Sequence, residues 1–254
     1  LFFRFFFIYF FIFLYSVQVM KGVIEEKTSR IIEIIISSVS SFKLMIAKII
    51  GVGLAGFTQF FIWISVISIT SIVILNSVIP DIYSSSIQSQ GPLTVNSGES
   101  AQIIEFLFYQ IHWPSMFIFF GIYFIGGYLL YAGMMAAIGA AVDEETDTQQ
   151  FLVPLTIPMI FALSMISSVI DDPSSTLSFW LSEIPFTSPV IMLVRIAMGI
   201  GPSSVEIWEI ILSISLLFLT FIFTTWLSSR IYAKGILSFG KKASYKDLLK
   251  WMKS

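Results

Sequence analysis

Glu25-Glu26-Lys27-Thr28-Ser29-Arg30-Ile31-Ile32-Glu33-Ile34-Ile35-Ile36-Ser37-Ser38 is a charged, isoleucine-rich stretch wedged between two long apolar runs. On a helix turning about 100° per residue, Glu26, Arg30, Glu33 and Ser37 fall at i, i+4, i+7 and i+11. They form one polar stripe, with Ile24, Ile31 and Ile35 opposite, and Glu26 is spaced to pair with Arg30. The pattern predicts an amphipathic helix over 25–38. Such a helix between two membrane spans either lies on the bilayer or docks into a cytoplasmic subunit.

The composition places this helix in a polytopic membrane protein. Hydrophobic residues make up 56% of the 254 residues, charged residues 12%, and 26 positions are phenylalanine. With a mean hydropathy of +0.90, that apolar surface exceeds what one soluble core buries. A net charge of -2 leaves no basic field for nucleic acid. Cysteine is absent, which removes thiolate metal sites and cysteine nucleophiles.

Crossing a hydrocarbon core of roughly 30 Å takes about 20 apolar residues. Five runs meet that length: 1–20, 49–75, 116–142, 151–170 and 207–227. The expected fold is therefore all-α, with five transmembrane helices. Lys21, Lys27, Arg30, Lys43 and Lys48 follow the first run, whereas Asn76 to Ser115 contains no Lys or Arg. By the positive-inside rule the first of these loops is cytoplasmic and the second external. Alternation then puts the acidic loop Asp143 to Gln150 inside. The basic tail 231–254, with Lys234, Lys241, Lys242, Lys246, Lys250 and Lys253, is inside as well. Leu248, Leu249, Trp251 and Met252 among those lysines predict an interfacial helix on an anionic inner leaflet. Pro80 to Glu99 reads as a flexible external loop. Trp180 to Gly201, apolar but short and interrupted by Arg195, reads as an external helix, re-entrant or at the interface. The odd span count and the leucine at position 1 lead us to expect a fragment of a longer protein.

Three motifs imitate catalytic sites and fail on their chemistry. Glu25-Glu26-x-x-x-Arg30 resembles an intramembrane metalloprotease motif, but such a site needs histidines, and the single His112 lies on the opposite face. Gly235-Ile236-Leu237-Ser238-Phe239-Gly240-Lys241-Lys242 copies the spacing of a phosphate loop without its Ser or Thr, and it follows a membrane helix where a strand belongs. His112, before Trp113 and Pro114, is an aromatic-belt residue at a helix start. The chain is thus expected to be a transporter, not an enzyme, with no cofactor or metal of its own.

Within the spans, Gln18, Thr58, Gln59 and Thr156 are candidates for a substrate path or for hydrogen bonds between helices. Gly121, Gly126, Gly127, Gly133 and Gly139 in the third run allow close helix approach. Asp143, Glu144 and Glu145 form a second cytoplasmic contact or a solvated helix end. A secondary transporter or channel working without ATP is the main rival, and it would normally carry an ionisable residue at bilayer depth.

Taken together, Val23 to Glu33, Ser37-Ser38-Val39-Ser40, Lys43-Leu44-Met45-x-x-Lys48, Ala140 to Gln150 and Ile184-Pro185-Phe186-Thr187-Ser188-Pro189 resemble an ABC-2 type permease. The closest branch is the sodium-efflux (Nat-type) one. Ser41 and Ala47 stand where relatives usually carry proline and glycine. The resemblance implies a six-span permease of a bacterial cytoplasmic membrane, with a cytoplasmic C-terminus, that exports substrate by alternating access as a dimer with a second permease copy or a homologous permease. A separate ABC ATPase subunit, holding ATP and magnesium, is implied as its partner. The helix 25–38 then corresponds to the coupling helix, with Glu25, Glu26, Arg30, Glu33, Asp143, Glu144 and Glu145 as ATPase-coupling residues.

Overall fold

The computed structural model describes residues 2–36, 38–87, 113–201, 204–238, 240 and 244–253. Ser37, His112, Lys241 and Lys242 fall outside them, as does most of the expected external loop. The elements are α1 (Phe2–Thr28), α2 (Ile31–Ile36), α3 (Ser41–Ile87), α4 (Trp113–Ala141), a 3-10 turn (Glu145–Thr148), α5 (Gln149–Asp171), α6 (Thr176–Glu183), α7 (Ser188–Met198), α8 (Ile207–Gly235) and α9 (Tyr245–Lys253). Among the described residues no strand forms beyond an isolated bridge between Ile200 and Val205. Five helices are long and apolar enough to cross a membrane, as expected.

Two compact units divide the chain, Leu1–Gly53 with His112–Ser254, and Leu54–Ile111. The second holds the remainder of α3, in which Pro80 to Ile87 is helical where a loop was expected. In the first unit α4 is the central helix, packed on α1 and α8. Its small residues bring backbones together, because apolar lipid gives helices little reason to associate except close packing. A Cβ at Gly139 would stand 2.6 Å from the Met20 carbonyl oxygen, and one at Gly235 would stand 2.8 Å from that of Ala140. The expected role of the third-run glycines is met at Gly139.

Helices α6 and α7 form an inserted pair. Ser175 caps α6 by accepting a hydrogen bond from the Ser178 amide, and Pro189 occupies the first turn of α7, where its missing N–H costs nothing. At eleven residues α7 is about 16 Å long, roughly half a bilayer core. Every residue from Ser188 to Ala197 is nevertheless buried. The interfacial alternative is therefore corrected: α7 is enclosed by protein, with Pro189 against Gly127 of α4 and Tyr131 donating to the Phe186 carbonyl at 2.9 Å.

The tail needs a similar correction. Leu248, Trp251 and Met252 of α9 pack against Met20, Ile24, Phe151 and Ile231, and Leu249 alone of the four points outward. Arg230 donates to the Met252 carbonyl at 3.0 Å, and Tyr245 donates to that of Gln150. The apolar face expected to meet lipid packs in part on the bundle instead.

Candidate coupling site

Helix α1 runs without a break from the membrane run through Glu25, Glu26 and Lys27 to Thr28. It stops because Arg30 adopts φ +56°, a left-handed conformation that costs a non-glycine residue roughly 1 kcal/mol. The Thr28 and Ser29 hydroxyls turn back onto the Ile24 and Glu26 carbonyls, satisfying acceptors that the end of the helix would leave open. The expected single helix over 25–38 is thus two helices meeting at a corner, so Glu26 and Arg30 do not share one helical stripe. Glu26 does not pair with Arg30, which is exposed at the corner; it pairs with Lys48 of α3 at 2.6 Å.

Three lysines tie this corner down. Lys27 is fully buried; its Nζ donates to the carbonyls of Ala140 at 2.8 Å and Val142 at 3.2 Å and pairs with Asp143 at 2.9 Å. Those carbonyls close α4, where a helix presents unpaired acceptors and the negative end of its dipole, so an ammonium group fits there on both counts. Asp143 also accepts from the Gly240 amide at 2.7 Å, drawing in the segment after α8. Lys48 donates to the Gly22 carbonyl at 2.6 Å as well as pairing with Glu26, so α3 is fastened to α1. Lys21 reaches Glu145 at 3.1 Å across a half-exposed gap.

From this clamp projects α2. Ile32 is fully buried in a cluster with Val23, Met45, Ile49 and Tyr232, while Ile31 and Ile34 are 52% and 74% exposed. One side chain anchors the short helix and two are displayed. The arrangement suits insertion into a partner's groove, and its polar surroundings include exposed Glu25 and Arg30.

The other expected site residues separate into groups. Asp143 and Glu145 join the clamp, whereas Glu144 is exposed, its carboxylate accepting from the Thr146 hydroxyl at 3.2 Å. Glu33 lies on α2, one residue before Ile34. Of the four path candidates, Gln18, Thr58 and Gln59 are exposed on their helices, and Thr156 donates to its own helix at the Val153 carbonyl. Lys21, Lys27 and Lys48 were missed as site residues. Lys27 had a signal: it continues the line of Ile12, Ser16, Val19 and Val23, spaced four, three, four and four, that faces the core.

Among the described residues no cluster of side chains suited to hold a metal ion forms beside this corner. The uncharacterized protein YhaP of Bacillus subtilis is 29% identical over 243 residues, covering 96% of this chain and 52% of the relative. An uncharacterized protein of Methanocaldococcus jannaschii is 24% identical over 232 residues, covering 91% and 48%. The chain therefore spans about half the length of the curated relatives it matches. No solved structure matches. Residues 1–230 match the model of the ABC-2 family transporter protein, which takes in four candidate spans, most of the fifth and the corner at Arg30, and the chain belongs to that family.

Proposed function

We propose that this chain is the permease part of an ATP-binding-cassette exporter, moving substrate outward by alternating access while a separate ATPase subunit hydrolyses ATP with magnesium. The observation that carries the reading is α2, whose exposed Ile31 and Ile34 stand on an anchor fastened by Lys27 and Lys48. A handle transmits force only if it does not give way at its base, and such cycles are largely rigid-body motions of helix bundles. Ile31 and Ile34 are the groove-filling residues in this reading, and Arg30, Glu25 and Glu33 set partner choice through charge. A second permease copy completes the transporter.

Orientation follows from where the lysines gather. The end of α1, the start of α3, the end of α4 and the tail after α8 share one face through the Lys27, Lys48 and Asp143 contacts. That concentration supports a cytoplasmic clamp and C-terminus in a bacterial cytoplasmic membrane. Sodium is the substrate we propose, on the strength of the resemblance to the Nat-type branch; stimulation of ATP hydrolysis by sodium over other cations in the purified complex would support it.

The test is Ile34→Asp in the full-length protein expressed with a candidate ABC ATPase subunit that co-purifies with the parent. A charge facing a protein groove is penalised by desolvation, while the exposed α2 tip leaves folding unaffected. Membrane levels should stay near the parent's while ATPase co-purification and transport fall together. Co-purification and transport at parental levels would refute docking through α2.

A further inference from the structure

A second charge cluster lies at the other end of the bundle, near the start of the 29-residue α8, whose last turn meets Ala140 of α4 at the clamp. Arg195 of α7 is 1% exposed. Its Nη1 pairs with Glu209 of α8 at 2.6 Å and donates to Ser182 Oγ at 2.7 Å. Nε donates to the Pro173 carbonyl at 2.8 Å, and Nη2 to that of Ser204 at 2.7 Å. Glu183, at the end of α6, is the member left over. It is 4% exposed, and neither carboxylate oxygen accepts a hydrogen bond among the described residues. Two buried carboxyl groups thus lie near one guanidinium, which pairs with Glu209.

The groups bearing on Glu183 come from each neighbouring element. Arg195 of α7 attracts its charge, Glu209 of α8 repels it, and Tyr123 of α4 is near enough to feel it. Asp171 and Asp172, before α6, are exposed to solvent. A buried carboxylate without donors is costly, and such a group takes up a proton instead. The adjacent guanidinium disfavours a metal ion there but is indifferent to a neutral carboxyl. A cleft of about 340 Å³ lined by Ser174, Thr176, Arg195, Ser204, Glu206 and Glu209 opens onto the Arg195–Glu209 pair, next to which Glu183 lies enclosed.

We propose that Glu183 is a proton-binding site, holding a proton in the arrangement described here and releasing it to solvent as the junction of α6, α7 and α8 opens. The only bond changed is the carboxyl O–H, and the proton passes to bulk water. Burial first, then the nearby Glu209, push the Glu183 carboxyl up to about 7 against the pull of Arg195. Because the folded state binds this proton more tightly than the unfolded chain, its contribution to stability is complete below about 4.5, the ordinary value, and is lost as pH rises through about 7.

The experiment is thermal unfolding of the full-length protein in detergent as a function of pH, for the parent and Glu183→Gln, with infrared spectra of both. The neutral amide mimics the protonated carboxyl. The variant should match the parent at acidic pH, exceed it above pH 7 and show a flatter profile between. The parent should show a protonated carboxyl C=O band that titrates near pH 7 and is missing from the variant. Identical pH profiles would overturn the proposal. So would a variant weaker by the same amount at every pH, or a stabilisation by sodium or potassium at alkaline pH that needs Glu183. If the variant does not fold, absence of the titrating band from the parent alone is enough to overturn it.

Discussion

The two ends of the bundle handle buried charge differently. At the lysine end each cation has its own acid: Lys27 with Asp143, Lys48 with Glu26 and Lys21 with Glu145. At the other end Arg195 pairs with Glu209, and the nearby Glu183 carboxyl has no hydrogen-bond partner among the described residues. The first arrangement pairs each of these lysines with an acid, which suits the fixed mount proposed for α2. The second contains a negative charge too many and is relieved by a proton, so its packing depends on its surroundings. Burial sharpens the contrast, since Arg195 and its acid are enclosed whereas the acids of the lysine end reach water.

If this comparison is right, Arg195→Leu has the largest effect. Removing the cation leaves Glu209 buried beside Glu183 and frees the carbonyls of Pro173 and Ser204, a loss of about 3–5 kcal/mol. A steep drop in thermal unfolding temperature should follow, partly recovered at low pH as both acids are protonated. Lys27→Met should cost less, about 2–3 kcal/mol, because the methionine keeps the volume and Asp143 can turn to solvent, leaving mainly the Ala140 and Val142 carbonyls unpaired. Gly139→Val tests the base of the mount from the packing side. Its branched side chain meets the α1 backbone, and overpacking of this kind costs about 1–3 kcal/mol, read as lower unfolding temperature with reduced α2 docking. Smallest is Lys21→Met, which loses a half-exposed pair and should change stability by less than about 1 kcal/mol. Equal losses for Lys21→Met and Lys27→Met would break the claim that burial sets the strength of the clamp.

How much of this was legible in the sequence follows from what each feature depends on. Long apolar runs declare themselves by length, so the five spans were visible. Their ends were not, because α1 and α8 continue past the apolar run into charged turns that pack on neighbouring helices. The corner at Arg30 was hidden: isoleucines and alternating charges over 25–38 suit one helix, and the break comes from Lys27 being drawn to the end of α4, a contact 113 residues away in the chain. Arg195 illustrates the same limit. Its interruption of an apolar segment suggested an interface, yet four partners from separate segments enclose it. The inward spacing of Lys27 on α1 was readable in hindsight by extending the buried line one further turn.

The central claim is that α2 is the part of this permease that touches the ATPase, and a crosslink tests it most directly. The chain contains no cysteine, so Ile34→Cys in the full-length protein, with any cysteine elsewhere replaced, gives a single reactive position. Membranes containing this variant and the ATPase are treated with a short thiol-to-amine crosslinker, with Trp180→Cys at the other end of the bundle as the control. We predict a covalent adduct between permease and ATPase from position 34 and none from position 180. No adduct from position 34, in complexes whose ATPase still co-purifies, would contradict the account.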